Sequence, residues 1–278
     1  MTATWNNFKT VLLMGGLTGL LLAVGAAMGQ QYILPFLGLS ILMNMGAWFF
    51  SDKIAIAAMH GREVTRATGG ELYALVDELR QRAGLPMPRV YICPHQAPNA
   101  FATGRSPAKA AVAVTEGALQ LLNRHELEGV VGHELAHVKN RDTLISTLAA
   151  TIAGVLATIA QFALFFGGRG RENPLGMIVA IVVAPIAAAV IKAMISRSRE
   201  FVADAEGAAI AGAPDGLISA LHKLDALNRR IPTHQPNPAM NNMFIIEPFS
   251  ARGLMDLFAT HPPTEKRVAA LAQLRGRL

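Results

Sequence analysis

The 278-residue chain is 52% hydrophobic and only 16% charged, with a net charge of +6. Soluble domains average about 25% charged residues, so this balance points to a bilayer. Sparse aromatics and the lack of a five-residue basic run argue against nucleic-acid binding; basic residues retained on the cytoplasmic side of a membrane account for the excess charge. Cys93 is the single cysteine, which excludes an intrachain disulfide and a thiolate-rich metal site and fits a reducing compartment.

Apolar stretches from about Val11 to Met28 and from about Tyr32 to Phe50 are each long enough to span hydrocarbon, which takes about 20 helical residues. Only Gly29-Gln30-Gln31 separates them, which predicts a tight helical hairpin. Pro35 in the second span predicts a kink. The polar segment 51–142 follows. Leu72, Leu75, Val76 and Leu79 form a helical stripe over Gly70–Ala83 that Gly84 and Pro86 terminate. Short strands are expected at Val90–Cys93, Ala100–Thr103 and Ala111–Val114, between prolines 94, 98 and 107. A further helix should start near Asn123, capped by its side chain with Glu126 in the capping-box position.

Two more spans are expected, from about Thr143 to Phe166 and from about Gly176 to Ile195, the latter containing Pro185. A second polar segment, 196–278, closes the chain and includes a proline-rich loop at Asn228–Asn242. Lys9, Lys53, Arg62, Arg66, Arg124, Lys139, Arg141, Arg197 and Arg199 all flank span ends on one face, against Arg169 and Arg171 on the other. Both termini and both polar segments should therefore be cytoplasmic. The resulting organisation is a transmembrane hairpin (1–50), a cytoplasmic region (51–142), a second hairpin (143–195) and a second cytoplasmic region (196–278).

The helix beginning near Asn123 carries His133-Glu134-Leu135-Ala136-His137. Histidines four residues apart share a helical face and can reach one metal ion, while Glu134 projects beside it and can take a proton from water. Gly129 and Gly132 lower helix propensity by about 1 kcal/mol each, which makes sense if another element packs closely there. A catalytic zinc needs a third protein ligand and one open position. Asn140 and Thr143 stand where a third histidine would continue the motif, so the ligand must come from elsewhere on the same side of the membrane. Glu200, directly after the fourth span, is the best candidate. Asp204 shares its helical face and could accept the second ring N–H of a ligating histidine.

Three runs together resemble the HtpX-type membrane metallopeptidases, relatives of the CaaX prenyl endopeptidases. They are His133–His137, Arg199-Glu200-Phe201-Val202-Ala203-Asp204, and His261-Pro262-Pro263-Thr264-Glu265. Ala83–Pro88, Asn99–Gly104 and the two-plus-two arrangement of spans extend the resemblance over nearly the whole chain. It implies a mainly α, α+β fold, with four transmembrane helices and a cytoplasmic zincin-like metalloprotease domain holding a small β-sheet. It implies one zinc ion per chain, held by His133, His137 and Glu200, with Glu134 as base and Asp204 behind the ligands. The implied role is removal of misfolded membrane proteins under stress, at a bacterial inner membrane.

His261, held by two prolines, is the candidate donor to the oxyanion of the tetrahedral intermediate. Asn99, Ala100 and Phe101 begin a short strand that could pair with extended substrate backbone. Expected partners are protein or peptide substrates and the lipid bilayer, with no nucleic acid; homo-oligomerisation stays open. Two other readings compete. A CaaX-type processing protease would usually need more than four spans, and a membrane scaffold or transporter would carry the His-Glu-Leu-Ala-His run by accident.

Overall fold

The computed structural model describes residues 2–145, 148, 197–228 and 262–278. Almost all of the third expected span, the whole of the fourth, the Gly167–Leu175 loop, residues 229–242 and His261 lie outside the described residues.

Helices α1 (Thr2–Met28) and α2 (Ile33–Ala58) form the expected hairpin, joined by a single 3-10 turn at Gln30–Tyr32. Within them, Asn7–Ala26 and Gln30–Phe50 are long and apolar enough to cross a membrane. Pro35 falls in the first turn of α2, where a missing backbone N–H breaks no helical hydrogen bond, so the expected kink has no cause there. The inner faces meet through Leu13, Leu17 and Leu21 of α1 and Ala47 of α2, joined by Leu144, Ile145 and Leu148. Asn44 also ties the pair together, its amide donating to Thr18 Oγ1 at 2.9 Å and to the Met14 carbonyl at 3.2 Å. Val11, Leu12, Leu34 and Leu42 stay exposed on the outside.

Beyond the hairpin lies a four-stranded sheet in the order β1 (Arg62–Val64), β2 (Arg89–Cys93), β4 (Ala111–Thr115), β3 (Ala100–Thr103). Strands β2 and β4 run parallel; the outer pairings are antiparallel. The expected strands are therefore present within a residue. Strand β1 was not legible, because Arg-Glu-Val is too short and polar to show alternation. Helix α3 (Gly70–Arg82) buries the predicted stripe. A short helix α4 (Glu116–Leu121), also unforeseen, starts where Thr115 accepts a bond from the Ala118 N–H.

Helix α5 (Arg124–Asn140) begins with a complete capping box between Asn123 and Glu126. It is the core element of this part of the chain, buried along Val130, Val131, Leu135 and Ala136. Helices α6 (Arg197–Ala211) and α7 (Asp215–Asn228) pack against it, and α8 (Thr264–Ala272) packs on α6 and α7. The glycines of α5 make this possible. A Cβ on Gly132 would stand 2.6 Å from the Gly207 carbonyl oxygen, and one on Gly129 would stand 2.3 Å from the Leu217 nitrogen. Both contacts are with backbone, so no side-chain movement can relieve them.

Gly207→Ala should therefore lower stability by about 1–3 kcal/mol or more through overpacking, since its Cβ would meet His133 Cα at 2.7 Å. Gly16→Ala, with no heavy atom within 4 Å of its Cβ, should leave the thermal midpoint of the detergent-solubilised protein unchanged or raise it. Equal midpoints for the two variants would contradict the close approach.

Candidate metal centre

On α5, the Nε2 atoms of His133 and His137 face one another at 3.1 Å. Glu200, in the first turn of α6, brings Oε2 to 3.7 Å from His133 Nε2 and Oε1 to 3.6 Å from His137 Nε2. Atoms arranged on a tetrahedron about 2.1 Å from a shared metal ion stand about 3.4 Å apart. One atom from each of the three side chains lies within 4.8 Å of the others, close enough for all three to reach one ion and leave a corner for water or substrate.

The rear nitrogen of each ring meets a carboxylate, and each carboxylate meets an arginine. His133 Nδ1 lies 2.9 Å from Asp204 Oδ1, a close contact oblique to the ring N–H. Asp204 in turn takes two bonds from Arg267 of α8, from Nε at 2.9 Å and Nη2 at 2.7 Å. His137 Nδ1 lies 3.2 Å from Asp142 Oδ2, whose other oxygen stands 3.5 Å from Arg199 Nη1. A carboxylate at Nδ1 fixes the tautomer that leaves the Nε2 lone pair for a metal.

Glu134 stands on the same helix with its carboxylate turned to the sheet, where Oε2 accepts the Ala102 N–H at 2.7 Å. Strand β3 lies at the sheet edge. Phe101 and Thr103 are in register with Ala113 and Ala111, and the Asn99 carbonyl accepts the Thr115 N–H at 2.9 Å. By the alternation of an antiparallel ladder, Ala100 and Ala102 turn their backbone groups outward. Of the three residues expected to hold substrate, only Ala100 thus presents a free-edge backbone, while Phe101 is buried beneath the sheet against Ile56 and Met59.

Charge balance tests whether a metal belongs here. Glu134, Glu200, Asp204 and Asp142 are all buried, and the nearby guanidiniums are those of Arg267 and Arg199. Among the described residues the buried carboxylates outnumber the nearby cations, Arg267, Arg199 and, beside Asp142, Lys9, and a dication would relieve this costly excess. The clustered carboxylates act on the neighbouring titratable groups. Burial opposes charge on His137, but Glu200, Asp142 and Glu134 override it and raise the ring to about 9. Burial pushes the Glu134 carboxyl up, against the pull of His133 and His137. At Asp204 burial is overcome by Arg267 and His133, which hold the carboxyl down at about 2.

The sequence matches peptidase family M48 over residues 66–275. The chain belongs to that family. Protease HtpX homologs from Desulfatibacillum aliphaticivorans, Gemmatimonas aurantiaca and Pyrococcus furiosus are 50%, 49% and 48% identical to it. The alignments cover 97%, 97% and 96% of this chain, and 90%, 99% and 95% of those proteins. The crystal structure of S. mikatae Ste24p shares the fold at a TM-score of 0.52 and 18% identity, over 97% of this chain and 66% of that longer one. M48 membership makes the chain a metal-dependent peptidase and sets aside an accidental histidine pair.

The structure brings His133, His137, Glu200, Glu134 and Asp204 together; His261 lies outside the described residues. Sequence reasoning missed Asp142, Arg267 and Ala102. Asp142 was reachable, being five residues past His137 at the helix end. Arg267 was not, because nothing in its spacing ties it to Asp204, 63 residues earlier.

A protonated His137 cannot bind metal, so uptake must displace its proton. With the metal-free ring at about 9, apparent metal affinity should rise about tenfold per unit from pH 7 to pH 8. Competition against a chelator of known affinity measures this, and a pH-independent affinity would contradict the assigned charge state.

Proposed function

We propose that this M48 peptidase is a membrane-embedded, zinc-dependent endopeptidase that cleaves misfolded or damaged membrane proteins on the cytoplasmic side of a bacterial inner membrane. The observation that carries the reading is the convergence of His133, His137 and Glu200 beside a buried Glu134. An N,N,O donor set suits zinc. The four-span organisation, with hairpins at 1–50 and 143–195 and cytoplasmic segments at 51–142 and 196–278, is part of this proposal. It is supported by the two apolar helices of the first hairpin.

When bound, zinc supplies Lewis acidity toward a peptide carbonyl and lowers the pKa of water at its open position. The remaining steps belong to the chain. Ala100 and the carbonyl of Ala102 offer outward backbone groups to an extended substrate, giving affinity with little sequence preference. Glu134 takes the proton of the attacking water and passes it to the leaving amine. Its bond from the Ala102 N–H fixes the carboxylate between strand and metal ligands. Asp204 and Asp142 hold the two histidine rings, and Arg267 and Arg199 neutralise those carboxylates. Donation to the oxyanion is assigned to His261. Arg267 supports this, because it anchors the helix that follows His261 to Asp204 beside the metal ligands.

Glu134→Gln removes the base and leaves every ligand in place. The variant should keep a full equivalent of zinc and lose casein digestion by about 100-fold or more. Digestion near the wild-type rate by a Glu134→Gln protein of confirmed mass would remove Glu134 from the mechanism.

A further inference from the structure

A groove of about 810 Å³ opens between the C-terminal half of α2 and the loop that follows β3. It falls within the range of small-molecule sites, about 300–1,000 Å³, and is separate from the metal centre. Its α2 wall carries Leu42, Met45 and Phe49, all largely exposed. Its rim carries Lys53, Arg105 and Lys109. Arg105 lies over the Phe49 ring, 4.9 Å from its centroid.

Among the described residues, the charge at this rim has little acidic counterpart. Asp52 is the only carboxylate among the described residues that lines the groove, and Arg89 already engages it at 2.6 Å. Among the described residues, no carboxylate pairs with Lys53, Arg105 or Lys109. The apolar wall lies within the membrane-crossing stretch Gln30–Phe50, and the cations lie just beyond its end. From Leu42 to Lys53 the helix rises about 16 Å, roughly the reach of an acyl chain. Aromatic and basic side chains at this depth are the groups that meet lipid headgroups.

We propose that this groove binds one anionic phospholipid, its phosphate held by Lys53, Arg105 and Lys109 and one acyl chain laid along Leu42, Met45 and Phe49. The proposal rests on the membrane reading of α2. A protein partner fits less well, since the wall faces hydrocarbon if α2 spans the bilayer. The site is mechanically close to the chemistry. Arg105 follows Gly104, whose φ of +122° and close approach to the Lys109 carbonyl fix the loop. The Gly104 carbonyl accepts a bond from Thr143 Oγ1 at 2.9 Å, at the end of the strand whose Ala102 holds Glu134.

Native mass spectrometry of the full detergent-solubilised chain, titrated with phosphatidylglycerol or chain-matched phosphatidylcholine, tests the site. Wild type should retain one phosphatidylglycerol in preference to phosphatidylcholine, and excess inorganic phosphate should not displace it. Each basic residue near an anionic headgroup contributes about fivefold, so Arg105→Ala/Lys109→Ala should cut the preference by about 30-fold. Arg66→Ala/Arg277→Ala, exposed and outside the groove, should keep it. Equal retention of both lipids by wild type, release by phosphate alone, or an unchanged preference in Arg105→Ala/Lys109→Ala with a wild-type thermal midpoint would each overturn the site. Alkaline carbonate extraction of the same protein from membranes separates the two readings. Resistance to extraction without lipid preference sinks the site alone, whereas release into the supernatant sinks the membrane reading and the site with it.

Discussion

Everything at the centre depends on how closely two helix backbones approach. Ligands on α5 and α6 can share one ion only if the helices meet with nothing between them, and Gly132 against Gly207 gives that contact. Helix propensity argues for alanine at both positions, by about 1 kcal/mol each. Geometry overrules it, because a methyl group at either would push Glu200 away from the histidines. The glycines of the His-Glu-Leu-Ala-His helix are therefore as much a part of the candidate metal site as His133, His137 and Glu200.

A second constraint is charge. Four carboxylates in one buried volume would repel one another without compensation, and the fold meets this in two layers. Arg267 and Arg199 each neutralise the carboxylate that steadies a histidine, and a metal ion would offset the negative charge of Glu200 and Glu134. Because Arg267 comes from α8, the last helix is tied to the first ligand through Asp204. Residues from three well-separated parts of the sequence then have to fold together before the site exists. Breaking one partner of such a buried pair typically costs about 3–5 kcal/mol, so the arginines are positioning residues with a large share in stability.

Local chemistry was legible in the sequence wherever it acts over a few residues. The capping box at Asn123 and Glu126, the stripe of α3 and the i, i+4 histidines all act within one or two helical turns. Strands β2, β3 and β4 were readable as short apolar runs punctuated by prolines. The polar three-residue β1 was not, since pairing with β2 rather than its own pattern makes it a strand. Glu200 could be placed by elimination and membrane geometry; Arg267 and Ala102 could not, because their roles come from tertiary contact alone. Phe101 shows how packing divides one strand between two roles. Its neighbours on the free edge face the site, but its side chain belongs to the layer between sheet and α2.

Metal content of the purified detergent-solubilised chain, wild type against Glu200→Ala, tests the account most directly. Three ligands from two helices should give one equivalent of zinc in the wild type, and loss of the only ligand on α6 should leave far less than stoichiometric metal. Because the ion then no longer bridges α5 and α6, limited proteolysis of Glu200→Ala should match that of wild type treated with a chelator. A Glu200→Ala protein that holds a full equivalent of zinc and resists protease like the untreated wild type would contradict the account and move the third ligand to another residue.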